Sequence, residues 1–354
     1  MLKSLESFLI QAPYTGILMF SHIKKRFLFN LLSLWIVLTL TFLVMKTIPG
    51  DPFNEEGCNV ISEKSLNILK AHYGLDKPLY KQYSLYFYSL VKGNFGNSLV
   101  YRDRSVINII TTAFPASAIL GLQSLVLSIC GGILLGTLAA LKRKKYRHYI
   151  LGTSILQIST PAFVFATLVQ YIFAVKLPLF PVACWGSFSH TILPTLALAV
   201  SPMAFITQLT YSSVSSALNK DYVLFAYAKG LPPLKVILKH VLPYALFPTI
   251  SYSSFLITTV MTGTFAIENI FCIPGLGKWF ICSIKQRDYP VILGLAAFYG
   301  TFFMLASLAS DLLQAFIDPQ IRYSHMKKNK KNKKQPHTQE KANPYPKANT
   351  IKQN

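Results

Sequence analysis

"AYAKGLPPLKVILKHVLP", residues 226 to 243, is a short polar break with one glycine, three prolines and three lysines, set between two long apolar runs. What it is for depends on what flanks it. The chain has 354 residues, of which 52% are hydrophobic and only 14% charged, and its mean hydropathy is +0.40. A water-soluble domain of that length does not carry so much apolar surface, so the composition points to several membrane crossings.

Charge-free stretches long enough to span about 30 Å of hydrocarbon as helix fall at Phe27–Met45, Ala113–Leu141, Tyr149–Val175, Thr191–Tyr211 and Tyr244–Ile267. A sixth, Val291–Phe316, carries one acid, Asp311. The expected fold class is therefore all-α, a polytopic membrane protein with six transmembrane helices. Phe27–Met45 is longer than the apolar core of a signal peptide and lacks a small-residue cleavage site after it, so it is expected to be retained. Met19 offers an alternative translation start, with a normal basic lead-in behind it.

Basic residues outnumber acidic ones by 35 to 13, and their positions set the orientation. Lys24-Lys25-Arg26 and the cluster from Lys142 to His148 belong on the cytoplasmic side by the positive-inside rule. This divides the chain into a cytoplasmic segment 1–26, a first transmembrane helix 27–47, an extracytoplasmic segment 48–112 and a five-helix core 113–317. Within that core, 212–243 is a cytoplasmic loop, and a basic tail, 318–354, is expected to be disordered. The membrane would be a cytoplasmic one, with both termini inside. In the outer segment, aromatic residues from Tyr80 to Tyr88 recur at helical spacing, as they would on a face packed at the interface or on a small core. The lysine run 327–334 fits contact with anionic lipid better than with nucleic acid, because it follows a span directly.

The opening stretch now lies on the cytoplasmic side. Asn219 and Asp221 are good helix starters for Tyr222–Ala228, and Gly230 stops that helix as a residue free to take positive φ. Pro232 and Pro233 suit the first turn of a second helix. There Leu234, Ile237, Leu238 and Val241 fall on one face, with Lys235 and Lys239 on the other. Such a unit suits either a membrane-surface helix or a knob that docks a soluble partner.

The interval from Gly230 to Leu242-Pro243, with Ala226 before it, resembles the EAA loop of importer-type ABC transporter permeases. Leu224-Phe225 replaces that motif's leading Glu-Ala, and His240 its isoleucine. Elsewhere "IPGDPF" (48–53), "YGLDKPLYKQY" (73–83), "GNFGNSLVYRDRSV" (93–106), "ENIFCIPGLGKWFICSIKQRDYPV" (268–291) and "FIDPQIRY" (316–323) resemble the B-type subunit of oligopeptide permeases, so the likeness spans nearly the whole chain. The resemblance implies a type I ABC importer permease fold in a bacterial inner membrane and an oligopeptide cargo, with dipeptides, nickel or glutathione as alternatives within the family. It implies that Leu224, Phe225, Ala226, Gly230, Leu242 and Pro243 form the ATPase-coupling loop. The implied partners are a second permease subunit, two cytoplasmic ATPases and an extracytoplasmic peptide-binding protein.

Polar residues within the spans are expensive in lipid. Gln123, Gln157 and Gln208 are candidates for a translocation path, although helix-to-helix hydrogen bonds are the simpler role for any intramembrane glutamine. Asp311 suits an interfacial or packing role better than a proton relay, and Pro161, Pro194 and Pro202 should kink their helices. No catalytic constellation, cofactor site or metal-ligand spacing is apparent. Gly275-Leu-Gly277-Lys278-Trp279 lacks both the leading glycine and the hydroxyl of a phosphate-binding loop. A proton-coupled carrier, the rival class, would need buried acids in several spans, and only Asp311 is on offer. Cys58, Cys184, Cys272 and Cys282 lie on or near the outer side; two of them could pair, but without framework spacing isolated packing is the favoured role.

Overall fold

The computed structural model describes the backbone of residues 2–47, 76–101, 104–262 and 265–317, and within these the side chains from 24 onward, apart from 254, 258–262 and 313–317. The expected outer segment is thus described only from 76. The tail 318–354, Cys58 and the "IPGDPF" stretch lie outside the described residues.

All regular elements among the described residues are helical. In chain order they are α1 (Leu2–Thr47), α2 (Leu79–Val91), α3 (Val106–Leu141), α4 (Lys144–Ser159), α5 (Ala162–Gln170, continued by a π turn Tyr171–Lys176), α6 (Phe188–Leu218), α7 (Asp221–Ala228), α8 (Pro233–Val236), a π turn Ile237–Val241, α9 (Leu242–Ala245), α10 (Phe247–Thr262), α11 (Phe265–Ile270), α12 (Leu276–Lys285) and α13 (Tyr289–Ile317). Four helices among the described residues are long and apolar enough to cross a membrane: Lys24–Thr47 of α1, α3, α6 and Tyr289–Leu312 of α13.

Two expected spans are not single straight helices. The third breaks between α4 and α5, which meet at 107°. Pro161 has no N–H to give the helix and pushes Thr160 into extended backbone, at φ −89° and ψ 124°. The fifth, expected as Tyr244–Ile267, is interrupted near its start by a turn at Leu246 between α9 and α10; residues 263 and 264 within it lie outside the described residues. Six crossings remain compatible with this division if the broken pieces each serve as one. The kink expected at Pro161 is present, and Pro194 and Pro202 lie within α6.

The body is organised by α3 and α6, which run parallel. Ser124 Oγ donates to the carbonyl of Thr195 at 3.3 Å and Ser128 Oγ to that of Ala199 at 3.1 Å, a constant offset of 71 positions. Two turns on, Gly132 and Gly136 keep the same register: a Cβ on Gly132 would lie 2.9 Å from the Met203 carbonyl, and one on Gly136 2.5 Å from the Thr207 carbonyl. Small residues every fourth position let the two backbones nearly touch, and the serines add hydrogen bonds along the seam.

Helix α1 runs antiparallel to α13. Arg26 pairs with Asp311, Leu34 fills the space beside Gly300, and Phe42 and Met45 pack with Ile292 and Leu293, so contacts descend one helix as they climb the other. Asp311, expected at an interface or in subunit packing, is paired within the chain, with a residue that the sequence had offered only as a flanking charge. Helix α13 in turn runs parallel to α3, with Val106 beside Gly294 and Phe114 against Phe298 and Phe302. Alternate crossings therefore share one direction, and α1 opposes them.

On α2 the aromatic face splits. Tyr83 and Tyr86 pack on Phe42, while Tyr80 and Tyr88 remain exposed. The loop before α3 is pinned by Asp288, whose carboxylate accepts from Ser98 Oγ and from Leu99 N at 3.1 Å. Burial holds the Asp288 carboxyl above its ordinary value of 3.8, against the opposing pull of these hydrogen bonds.

Two outcomes are expected for this fold. Gly136→Ala should lower the melting temperature and folded yield of the detergent-purified chain, since backbone cannot yield as a side chain can; overpacking of this kind costs about 1–3 kcal/mol. Gly152→Ala, where nothing lies within 4 Å, should not; equal stability of the two variants would contradict the seam. An acid with a raised folded pKa binds protons more readily when folded, so its contribution is lost as pH rises from 3.8 through the folded value. Asp288→Asn should accordingly flatten that part of the melting-temperature profile.

Candidate functional site

The break quoted at the outset is a compact helical knob at the end of α6. Asn219 closes α6 and Lys220 precedes α7, so Asp221 falls in the first turn of α7, where its charge favours the helix N-terminus. Helix α7 ends as its glycine dictates. Gly230 has φ +74° and donates to the carbonyl of Tyr227 at 2.9 Å. Pro232 continues in extended backbone and Pro233 opens α8, where the missing N–H costs nothing.

The second half of the knob departs from the expected α-helix. Leu242 donates back five residues to Ile237, which makes Ile237–Val241 a π turn. Pro243 follows immediately and can neither donate nor tolerate the carbonyl four residues back. The wider turn also changes which residues face inward. Val236 and Val241, five apart, are fully buried, whereas Leu234 and Leu238, which a 3.6-residue period sets on one apolar face with Val241, are exposed.

The knob thus has two sides. Inward, Val223, Ala226, Val236, Val241 and Ala245 form one cluster with Val214 and Ala217 of α6, with Leu231, Leu242 and Ala140 against it. Outward, Leu224, Phe225, Leu234 and Leu238 are between 57% and 68% exposed, and Lys229 Nζ rests over the Phe225 ring at 4.6 Å. Of the six residues expected in the loop, Leu224, Phe225 and Pro243 face out, Ala226 is buried, Leu242 is half-buried and Gly230 makes the turn.

The three glutamines do not share an element. Gln123 is on α3 and its Oε1 accepts from Thr195 Oγ1 at 3.0 Å; Gln157 is on α4 and Gln208 on α6, both half-buried. Gln170 ties two loops together, donating to the carbonyls of Val182 at 2.8 Å and Ile270 at 3.4 Å.

One polar arrangement has no simple sequence signal. Glu268, fully buried, accepts from Gly277 N at 2.8 Å, and Ser117 Oγ accepts from Leu276 N at 2.9 Å. Together they satisfy the first amides of α12. Gly275 and Gly277 are glycine because Glu268 closes on both, which is a packing reason for the glycines once weighed as a phosphate loop.

Comparison with known proteins shows the family. Residues 132–323 match the family described as "Binding-protein-dependent transport system inner membrane component", and residues 19–120 its N-terminal companion. The chain is 44% identical to the dipeptide transport system permease protein DppB of Bacillus subtilis (strain 168), over 85% of this chain and 97% of that one. It is 38% identical to the oligopeptide transport system permease protein OppB of Haemophilus influenzae, over 86% and 100%. A structure of the MetNI methionine ABC transporter in inward-facing conformations aligns at a TM-score of 0.49 and 15% identity, over 59% of this chain and 96% of that one. The chain belongs to the family of binding-protein-dependent transport system inner membrane components, as a multi-pass membrane protein.

Proposed function

We propose that this chain is one of two pore-forming subunits of an ATP-driven importer of peptides, coupled to its ATPases through the knob from Asp221 to Ala245. The observation that carries the coupling role is the two-sided knob. Its inner face is locked to α6, so a push on the outer face moves a whole transmembrane helix rather than a loose loop. The outer face offers Leu224 and Phe225, apolar where the motif's general form has Glu-Ala, so the partner contact here is apolar rather than ionic.

The chain itself has no nucleotide site in this reading, and ATP hydrolysis belongs to two separate cytoplasmic subunits. An extracytoplasmic binding protein delivers the peptide, and a second permease completes the pore. The knob and both termini face the cytoplasm, following the basic flanks at Lys24–Arg26 and Lys142–His148. Gln123, Gln157 and Gln208 supply polar groups to the translocation path. Oligopeptides are the cargo expected from the sequence motifs. Dipeptides are a second reading, supported by relatives named for dipeptide transport at 44% and 40% identity.

Two experiments test the coupling. Nothing lies within 4 Å of a Cβ built on Gly230, so only backbone strain opposes substitution there. Left-handed backbone costs most L residues roughly 1–2 kcal/mol and asparagine less. Gly230→Val should cut peptide uptake at least about tenfold at unchanged membrane level, and Gly230→Asn should keep most of it; undiminished uptake in the valine variant would remove the turn from the mechanism. In a pull-down from solubilised membranes, Phe225→Asp should lose the ATPase subunits and keep the second permease. Retention of both would show that the outward apolar face is not the docking surface.

A further inference from the structure

Two of the outer cysteines, which no framework spacing pairs, lie on loops that meet. Cys184 lies in the loop between the π turn Tyr171–Lys176 and α6, and Cys272 in the loop between α11 and α12. The backbone N–H of Cys184 donates to the carbonyl of Phe271, the residue before Cys272, at 2.9 Å. With standard bond lengths and a near-linear N–H···O bond, this contact puts the two Cα atoms within about 6.6 Å, inside the disulfide range, which extends to about 6.8 Å.

The backbone singles out the same two positions. Among the described residues only three other than glycine have positive φ, and two of them are Cys184 at 84° and Cys272 at 52°. Left-handed backbone at non-glycine residues persists only where the surroundings impose it, and it gathers at functional positions. Here the surroundings are well fixed. Gln170 bonds the carbonyls of Val182 and Ile270, and Phe180 and Trp185 of one loop share an apolar cluster with Phe271 and Ile273 of the other. Both thiols are exposed, and Cys272 Sγ makes a weak contact with the carbonyl of Asn269, at 3.9 Å.

We propose that Cys184 and Cys272 form a disulfide that staples the loop after the third crossing to the loop before α12. This rests on the topology proposed above, which puts both loops outside the cytoplasm, where disulfides persist. The oxidant is the disulfide of an extracytoplasmic thiol oxidase. One cysteine thiolate attacks it, giving a mixed disulfide and releasing one oxidase thiol. The second cysteine then attacks the mixed disulfide, forming the Cys184–Cys272 bond and releasing the other. Two thiols of this chain lose two protons and two electrons, and the oxidase leaves as a dithiol. The staple makes the two loops one body and fixes the end of α5 relative to the start of α12.

The test uses the full chain in its native membrane. Cells are treated with a membrane-impermeant maleimide, with and without reductant, before and after permeabilisation, and the cysteine peptides are identified by mass spectrometry. The expected result is that Cys184 and Cys272 stay unlabelled until reduced and are recovered as one linked pair of peptides. In Cys184→Ser, Cys272 should then label from outside without reductant. Labelling of both from outside in the unreduced wild type, or linkage of either to a different cysteine, overturns the staple and leaves the topology standing. Labelling of both without reductant, but only after permeabilisation, places the loops inside and overturns staple and topology together.

Discussion

The contact on which the rest of this structure depends is the seam between α3 and α6. Inside a membrane, apolar side chains gain nothing by leaving lipid for one another, so two helices must be held by close packing and by hydrogen bonds. Ser124, Ser128, Gly132 and Gly136 supply both, in a register that keeps the helices parallel over their length. That register fixes the place of everything attached. The parallel run forces the intervening α4 and α5 to return the chain across the bundle, and it presents the end of α6, with its knob, beside Ala140 at the end of α3.

The knob shows how a local backbone constraint becomes a mechanical property. Gly230 and the prolines at 232, 233 and 243 each exclude most alternatives for a few residues, and together they leave one path for the chain. The π turn then directs Val236 and Val241 inward and leaves Leu234 and Leu238 exposed. A segment tied inward over two helical pieces and one turn has little slack, and in the proposed mechanism that stiffness matters as much as the chemistry of its outer face.

Much of this was legible from residue order, for reasons that differ by feature. The four long apolar helices follow from hydropathy, and the positive φ at Gly230, the first-turn place of Pro233 and the break at Pro161 follow from the backbone chemistry of single residues. What could not be read pairs residues distant in sequence. Arg26 looked like a flanking charge until Asp311 was found beside it; Glu268 and Ser117 cap a helix from two different directions; Asp288 holds Ser98. The apolar face read over Leu234, Ile237, Leu238 and Val241 does not stay together, because that stretch closes five residues back rather than four.

The sharp bend at Thr160–Pro161 carries a consequence for the surrounding medium. Hydrocarbon cannot hydrogen-bond the carbonyls that a broken helix releases, so lipid cannot be the neighbour of this corner. Thr160 caps part of the end, its amide and hydroxyl both bonding the carbonyl of Leu156, at 3.0 Å and 2.8 Å. The remaining carbonyls of the last turn of α4 need water or another protein surface. Gln157 sits in that same turn. The corner therefore acts as a hydration marker: its neighbour is water or protein, whether it lies within the bilayer or at its surface.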